Sequence, residues 1–109
     1  MFRMFQVVTG FAGVFFAVSA LAQAPTPYPS KPLRYIIPES PGGGSDVIGR
    51  IFAEGLAEVT GQPVMVDNRP GAGTTIGIAA GAKAAPDGYT ITQNGLGFAA
   101  GPSMYRNLP

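Results

Sequence analysis

The residues of this chain that could do chemistry are gathered in glycine-bearing stretches. The first is Pro41-Gly42-Gly43-Gly44-Ser45-Asp46. Consecutive glycines let a backbone approach a ligand closely. The helix predicted to start next offers unpaired N–H groups and the positive end of its dipole. Together these suit a phosphate or carboxylate, with the Ser45 hydroxyl as a further donor. The plainer reading is a flexible turn before an ordinary capped helix. No Lys-Ser/Thr pair follows the glycines, and no G-x-G-x-x-G with a downstream ribose acid is present, so neither nucleotide signature is met. The second stretch, Asn68-Arg69-Pro70-Gly71-Ala72-Gly73-Thr74-Thr75, repeats the design: small residues, then hydroxyls at a helix start. Arg69 could clamp a carboxylate in bidentate fashion; the favoured role is a surface side chain or a partner of Asp67 or Asp46. The third stretch, Asn94-Gly95-Leu96-Gly97, could add the Asn94 amide.

Composition removes whole classes of alternative. The 109 residues contain no His and no Cys, which excludes His/Cys zinc sites, Ser-His-Asp triads, thiol nucleophiles and disulfide frameworks. Glu54 and Glu58 fall on an exposed helix face, Asp87 in a turn, and Asp46 at a natural cap. No hydroxyl has a base beside it, and Lys83 reads as a solvated side chain. Glu39, Asp46 and Asp67 lack a ligand spacing for a metal. The expectation is a non-enzyme with no cofactor and no metal. Seven basic against six acidic side chains, net +1, give no electrostatic footprint for nucleic acid.

The elements that must position these stretches alternate. Leu33 to Ile37 reads as a strand, ended by Pro38. Ser45 to Thr60 is the best helix, capped by Ser45 or Asp46 and closed by Gly61. Val47, Ile48, Ile51, Phe52, Leu56 and Val59 share one face of it, the expected buried one, with Arg50, Glu54 and Glu58 opposite. Pro63 to Asp67 is a second strand. Thr75 to Ala85 is a weaker helix in which Gly77 and Gly81 allow close packing on a sheet. Pro86-Asp87-Gly88 is a turn, and Tyr89 to Thr92 a third strand. Gln93 to Gly101 reads as a loop, with a short helix beginning at Pro102. The order β-α-β-α-β implies a parallel sheet with right-handed crossovers. Ligands bind beyond the carboxyl ends of such strands, where all three stretches should lie.

The amino-terminal residues carry an address. Arg3 precedes an apolar run from Val7 to Leu21, which ends in Ala20-Leu21-Ala22, a small-residue cleavage pattern; Ala22-Gln23-Ala24 is a second option. Residues 1–22 read as a cleavable secretory signal, since the run is short for a membrane span. Residues 23–32 form a Pro-rich extended arm, and 33–109 the folded part.

Further segments in register add a resemblance. Tyr28-Pro29-Ser30-Lys31-Pro32-Leu33-Arg34, the first glycine stretch, and Gly61-Gln62-Pro63-Val64-Met65-Val66-Asp67-Asn68-Arg69-Pro70-Gly71-Ala72-Gly73 come in order. Lys83-Ala84-Ala85-Pro86-Asp87-Gly88-Tyr89-Thr90 and Pro102-Ser103-Met104-Tyr105 follow. The chain resembles the Bug family, the extracytoplasmic substrate-binding receptors of tripartite tricarboxylate transporters. The resemblance implies a periplasmic-binding-protein-like α/β fold of Venus-flytrap type, periplasmic localisation, capture of a small carboxylate solute, and membrane transporter subunits as partners. Carried over by position, Gly43, Gly44, Ser45 and Asp46 line the first loop, Ala72, Gly73 and Thr74 the second, and Asn94 contributes from the third. Glu39-Ser40 departs from the family's usual apolar pair, and a carboxylate there repels an anionic ligand. The family's chains run much longer, so the resemblance implies an amino-terminal fragment covering part of the first lobe. Alternatives are an exported remnant that does not bind and, remotely, a phosphate- or nucleotide-handling α/β enzyme.

Overall fold

The computed structural model describes residues 24–109; the expected signal over residues 1–22 lies outside them. The elements are β1 (Leu33–Ile37), α1 (Gly44–Thr60), β2 (Val64–Asn68), a 3-10 turn (Ala72–Thr74), α2 (Thr75–Ala82), β3 (Thr90–Thr92) and α3 (Leu96–Met104). The strands form a parallel sheet in the order β2-β1-β3, so the chain crosses from one edge to the other between β2 and β3. This is the expected β-α-β-α-β arrangement, with a third helix added.

β1 is central, and its composition explains why. Leu33, Tyr35, Ile36 and Ile37 are all buried, as a strand covered on both faces requires. Tyr35 and Ile37 face α1, where they cluster with Ala53 and are flanked by Val64, Val66 and Ile91. Ile36 points to the opposite face, the side of the sheet on which α2 lies against Pro38 and Thr92.

The face on which α1 packs corrects the sequence expectation. Asp46, Gly49 and Ala53 are buried, while Val47, Ile48, Ile51, Phe52 and Val59 are exposed, Val59 at 87% and Ile48 at 67%. The reason is the depth of the contact. A methyl group on Gly49 would stand 2.6 Å from the Ile37 side chain and 2.5 Å from Oε1 of Gln93. Only a small-residue stripe fits so close to the sheet, so the bulky stripe turns outward. Leu56 stays half-buried, and Phe52 reaches back, its ring centroid 5.4 Å from that of Tyr35.

Glycines set the spacing of α2 and α3 as well. A methyl on Gly81 would come within 1.9 Å of Thr92 Oγ1, and one on Gly77 within 2.6 Å of Pro38 Cα. This close packing agrees with the small residues read from α2. In the third stretch the same chemistry corrects an expectation: Leu96 to Gly101 is helix rather than loop, and the helix ends at Met104. Gly97 lies so near the second loop that a methyl would sit 2.3 Å from Thr74 Oγ1. Its absent side chain serves helix packing rather than chain flexibility.

The Pro-rich arm from residue 24 to 32 forms neither helix nor strand. It is pinned at the β3 entry: Tyr28 donates its hydroxyl hydrogen bond to the Gly88 carbonyl, and the Ser30 N–H donates to the Tyr89 hydroxyl at 2.9 Å. Tyr28 packs edge-on to Tyr89 at 5.1 Å, and Lys31 lies 4.5 Å over the Tyr89 ring.

Candidate functional site

The first loop leaves β1 at its carboxyl end, and α1 starts at Gly44 with Gly43 as its N-cap. No side chain caps this helix, contrary to the expectation for Ser45 or Asp46. Asp46 instead reaches back from the first turn and accepts the Gly42 N–H at 2.9 Å. The same carboxylate accepts Arg50 Nε at 3.0 Å and, on its other oxygen, Asn68 Nδ2 at 2.9 Å. These donors, Arg50 foremost, hold the Asp46 carboxyl down to about 2. At 3% exposure the carboxylate is occupied within the chain, so it holds the loop in shape.

Two residues beyond the expected set complete that brace. Asn68, the last of β2, also donates to the Glu39 carbonyl at 3.1 Å and accepts Arg50 Nη2 at 3.2 Å. Gln93, just past β3, donates to the Ser45 carbonyl at 3.2 Å and accepts the Tyr35 hydroxyl at 3.3 Å. The amino end of α1 is thus gripped from both neighbouring strands. Strand alternation was the signal for both: Val66 and Ile91 face α1, and so must the residues two positions on.

Because Asp46 bonds Gly42 rather than the helix, the first N–H groups of α1 keep no intrahelical acceptor. Gly43 and Gly44 are exposed and Ser45 is half-buried. The arrangement is a positive helix end whose glycines leave it open.

The second loop is built differently. Gly71, Ala72, Gly73 and Thr74 all have positive φ, at 127°, 47°, 60° and 78°. Glycine takes such values freely, whereas Ala72 and Thr74 are strained there by about 1 kcal/mol each. The turn passes straight into α2, whose N-cap Thr74 makes no side-chain capping bond. Thr75 anchors the turn by donating its hydroxyl to the Ala72 carbonyl at 2.8 Å. The Thr74 hydroxyl is buried and has no hydrogen-bond partner among the described residues.

Arg69 takes the favoured role, donating to Asp67 at 3.1 Å with its side chain half-exposed. Arg34 also pairs with Asp67, and the two guanidiniums, Arg34 first, hold that carboxyl below its usual value. Asn94 is exposed and lines a separate recess of about 280 Å³ with Gly81, Thr92 and Phe98. The structure therefore brings Gly43, Gly44, Ser45 and Asp46 together in one loop and Ala72, Gly73 and Thr74 in another. Each loop leads into a helix from the carboxyl end of a strand in one parallel sheet.

Two strand-to-helix loops, each leading into a helix without a side-chain cap, thus stand at the carboxyl ends of strands in one parallel α/β sheet. The sequence profile of the Tripartite tricarboxylate transporter family receptor (TctC) matches residues 48–109, and the chain belongs to that family. It is 41% identical over 108 residues to a UPF0065 protein of Bordetella pertussis, covering 98% of this chain and 33% of that protein. It is similar to the periplasmic binding protein BugD, with TM-score 0.71 and 41% identity over 73% of this chain and 27% of the other. It is also similar to MatC from Rhodopseudomonas palustris, solved with bound malate, with TM-score 0.57 and 34% identity over 60% of this chain and 22% of that one. The chain spans about a third of the length of the curated relatives it matches.

Proposed function

We propose that this chain supplies the carboxylate-binding edge of a periplasmic solute receptor that serves the membrane subunits of a tripartite tricarboxylate transporter. The observation that carries this is the pair of uncapped helix starts, at Gly44 and Thr75, behind glycine loops on one sheet. Unpaired N–H groups and aligned dipoles favour an anion there. The family and the malate bound to MatC support a small dicarboxylate as the class. Gly43, Gly44, Ser45, Ala72, Gly73 and Thr74 contribute the donors, Asp46 holds its loop, and Asn94 lines a separate recess. The signal over residues 1–22 delivers the chain to the periplasm. Binding needs no cofactor, and the site performs no chemistry on its solute.

The test is thermal unfolding of the purified chain against malate, citrate and glutamate. Ligand at a hundredfold excess over Kd raises stability by about 2.7 kcal/mol, and added salt weakens the effect because the anion is held by charge. No shift with any of the three defeats the proposal. A second reading, an exported chain that does not bind, draws support from the exposed stripe Ile48, Ile51 and Val59 on α1. It predicts unfolding without a cooperative transition.

A further inference from the structure

We infer that Asn94 is a modification site, at which the side-chain amide becomes a carboxylate by cyclisation onto the backbone nitrogen of Gly95. The pair lies between β3 and α3, with Gly95 as the N-cap of α3 in extended backbone, φ −132° and ψ −157°. Both residues are exposed. Neither the Asn94 amide nor the Gly95 N–H has a hydrogen-bond partner among the described residues. A methyl built on Gly95 would meet nothing within 4 Å. The attacking nitrogen and the carbon it attacks are therefore both unengaged, and residue 95 has no side chain to hinder their approach.

Asn68 shows the opposite case in the same chain. Its Nδ2 donates to the Glu39 carbonyl and to Asp46, and its Oδ1 accepts Arg50. The N–H that follows it, on Arg69, donates to the Ile37 carbonyl at 2.8 Å. Cyclisation there must first break all of these bonds. At Asn94 the bond from Gly95 N to Asn94 Cγ forms, the Cγ–Nδ2 bond breaks, and ammonia leaves with the proton of the backbone nitrogen. Water then opens the cyclic imide at either carbonyl, giving aspartate or isoaspartate. Water is the one co-reactant, and nothing is oxidised or reduced. The new carboxylate stands at the amino end of α3, where the helix dipole favours negative charge. The aspartate product is therefore compatible with the helix.

The test is incubation of the purified chain at mildly alkaline pH, followed by digestion and mass spectrometry. Conversion at Asn94 is expected to run at least about tenfold faster than at Asn107, which is equally exposed but followed by the branched Leu108 rather than by glycine. The product is expected to be a mixture of isoaspartate and aspartate. Gly95→Ala should slow the conversion several-fold without unfolding the chain, since alanine adopts this backbone and its methyl enters open space. A rate at Asn94 no greater than at Asn107 overturns the inference, and so does an unchanged rate in the Gly95→Ala chain. Aspartate as sole product marks direct hydrolysis and overturns the cyclisation. Conversion that appears only in urea shows that the fold shields Asn94, which also overturns it.

Discussion

The two strand-to-helix loops do one job by opposite means. The first is held by side chains: Asp46 takes Gly42, Arg50 and Asn68, while Gln93 grips Ser45. In it only Gly42 has positive φ, at 87°. The second is held by the chain's own conformation, a run of positive φ that includes two residues with side chains. Its one local side-chain bond is Thr75 to Ala72. A polar brace leaves the backbone relaxed but titrates with the carboxylate at its centre. A strained turn has no charge to titrate, and persists only while its surroundings over-determine it. The first loop should therefore fail in acid, and the second when α2 or α3 shifts.

Gly77 is the point where the loops share a support, and it carries the largest expected effect. A methyl there meets Pro38 Cα at 2.6 Å and the Arg69 carbonyl at 2.7 Å, both backbone atoms at the roots of the two loops. Neither can turn aside as a side-chain tip can. Gly77→Ala is expected to cost about 3 kcal/mol or more by overpacking, seen as a lowered midpoint in urea unfolding. A cost under about 1 kcal/mol would show that α2 can ride away from the sheet without disturbing either loop.

Asp46→Asn separates the loops. An amide can accept from Asn68 or from Gly42 and Arg50, but its NH2 group then opposes a donor on the other side. Amide exchange at Gly42 should accelerate several-fold while exchange across residues 72–75 holds. The pH dependence has a definite sign. The folded carboxyl lies at about 2 against 3.8 unperturbed, so its stabilisation is fully present above pH 3.8 and is lost as pH falls toward 2. The Asn variant loses that part of the acid sensitivity of Tm and keeps the part due to Asp67, which Arg34 and Arg69 hold low. An unchanged acid profile would mean that Asp46 is not the keystone of the first loop.

Much of this was legible in the sequence, and the failures share a physical cause. Strand and helix order, the packing glycines of α2 and the Arg69–Asp67 pair all follow from local chemistry. Periodicity located α1 but misassigned its face, because a stripe of Ile and Phe shows amphipathicity and not how near the sheet will come. The stripe Asp46, Gly49, Ala53 held that information, since close approach selects small side chains. Gly95, Gly97 and Gly101 suggested a loop, yet at Gly97 the missing side chain marks close approach in a helix rather than freedom in a turn. Asn68 and Gln93 were missed because a polar residue ending a strand looks like loop. The three glycine stretches were readable; that Asn94 lines a recess apart from the first two of them required the fold.

The smallest expected effect bears most directly on the strained loop. Ala72 is exposed with φ 47°, so its methyl packs little and its conformation is unfavourable. Ala72→Gly relieves about 1 kcal/mol of left-handed strain. It also widens the freedom of the unfolded chain, which costs about 0.5–1 kcal/mol. The two nearly cancel, so urea unfolding should move by no more than about 0.5 kcal/mol. Affinity for malate should fall despite that, because the turn loses the restriction that keeps its donors aimed before the ligand arrives. A stability loss above about 1 kcal/mol would mean that the Ala72 methyl packs against the turn. Unchanged stability with unchanged affinity would mean that α2 and α3 alone set the turn, and that the left-handed alanine is tolerated rather than used.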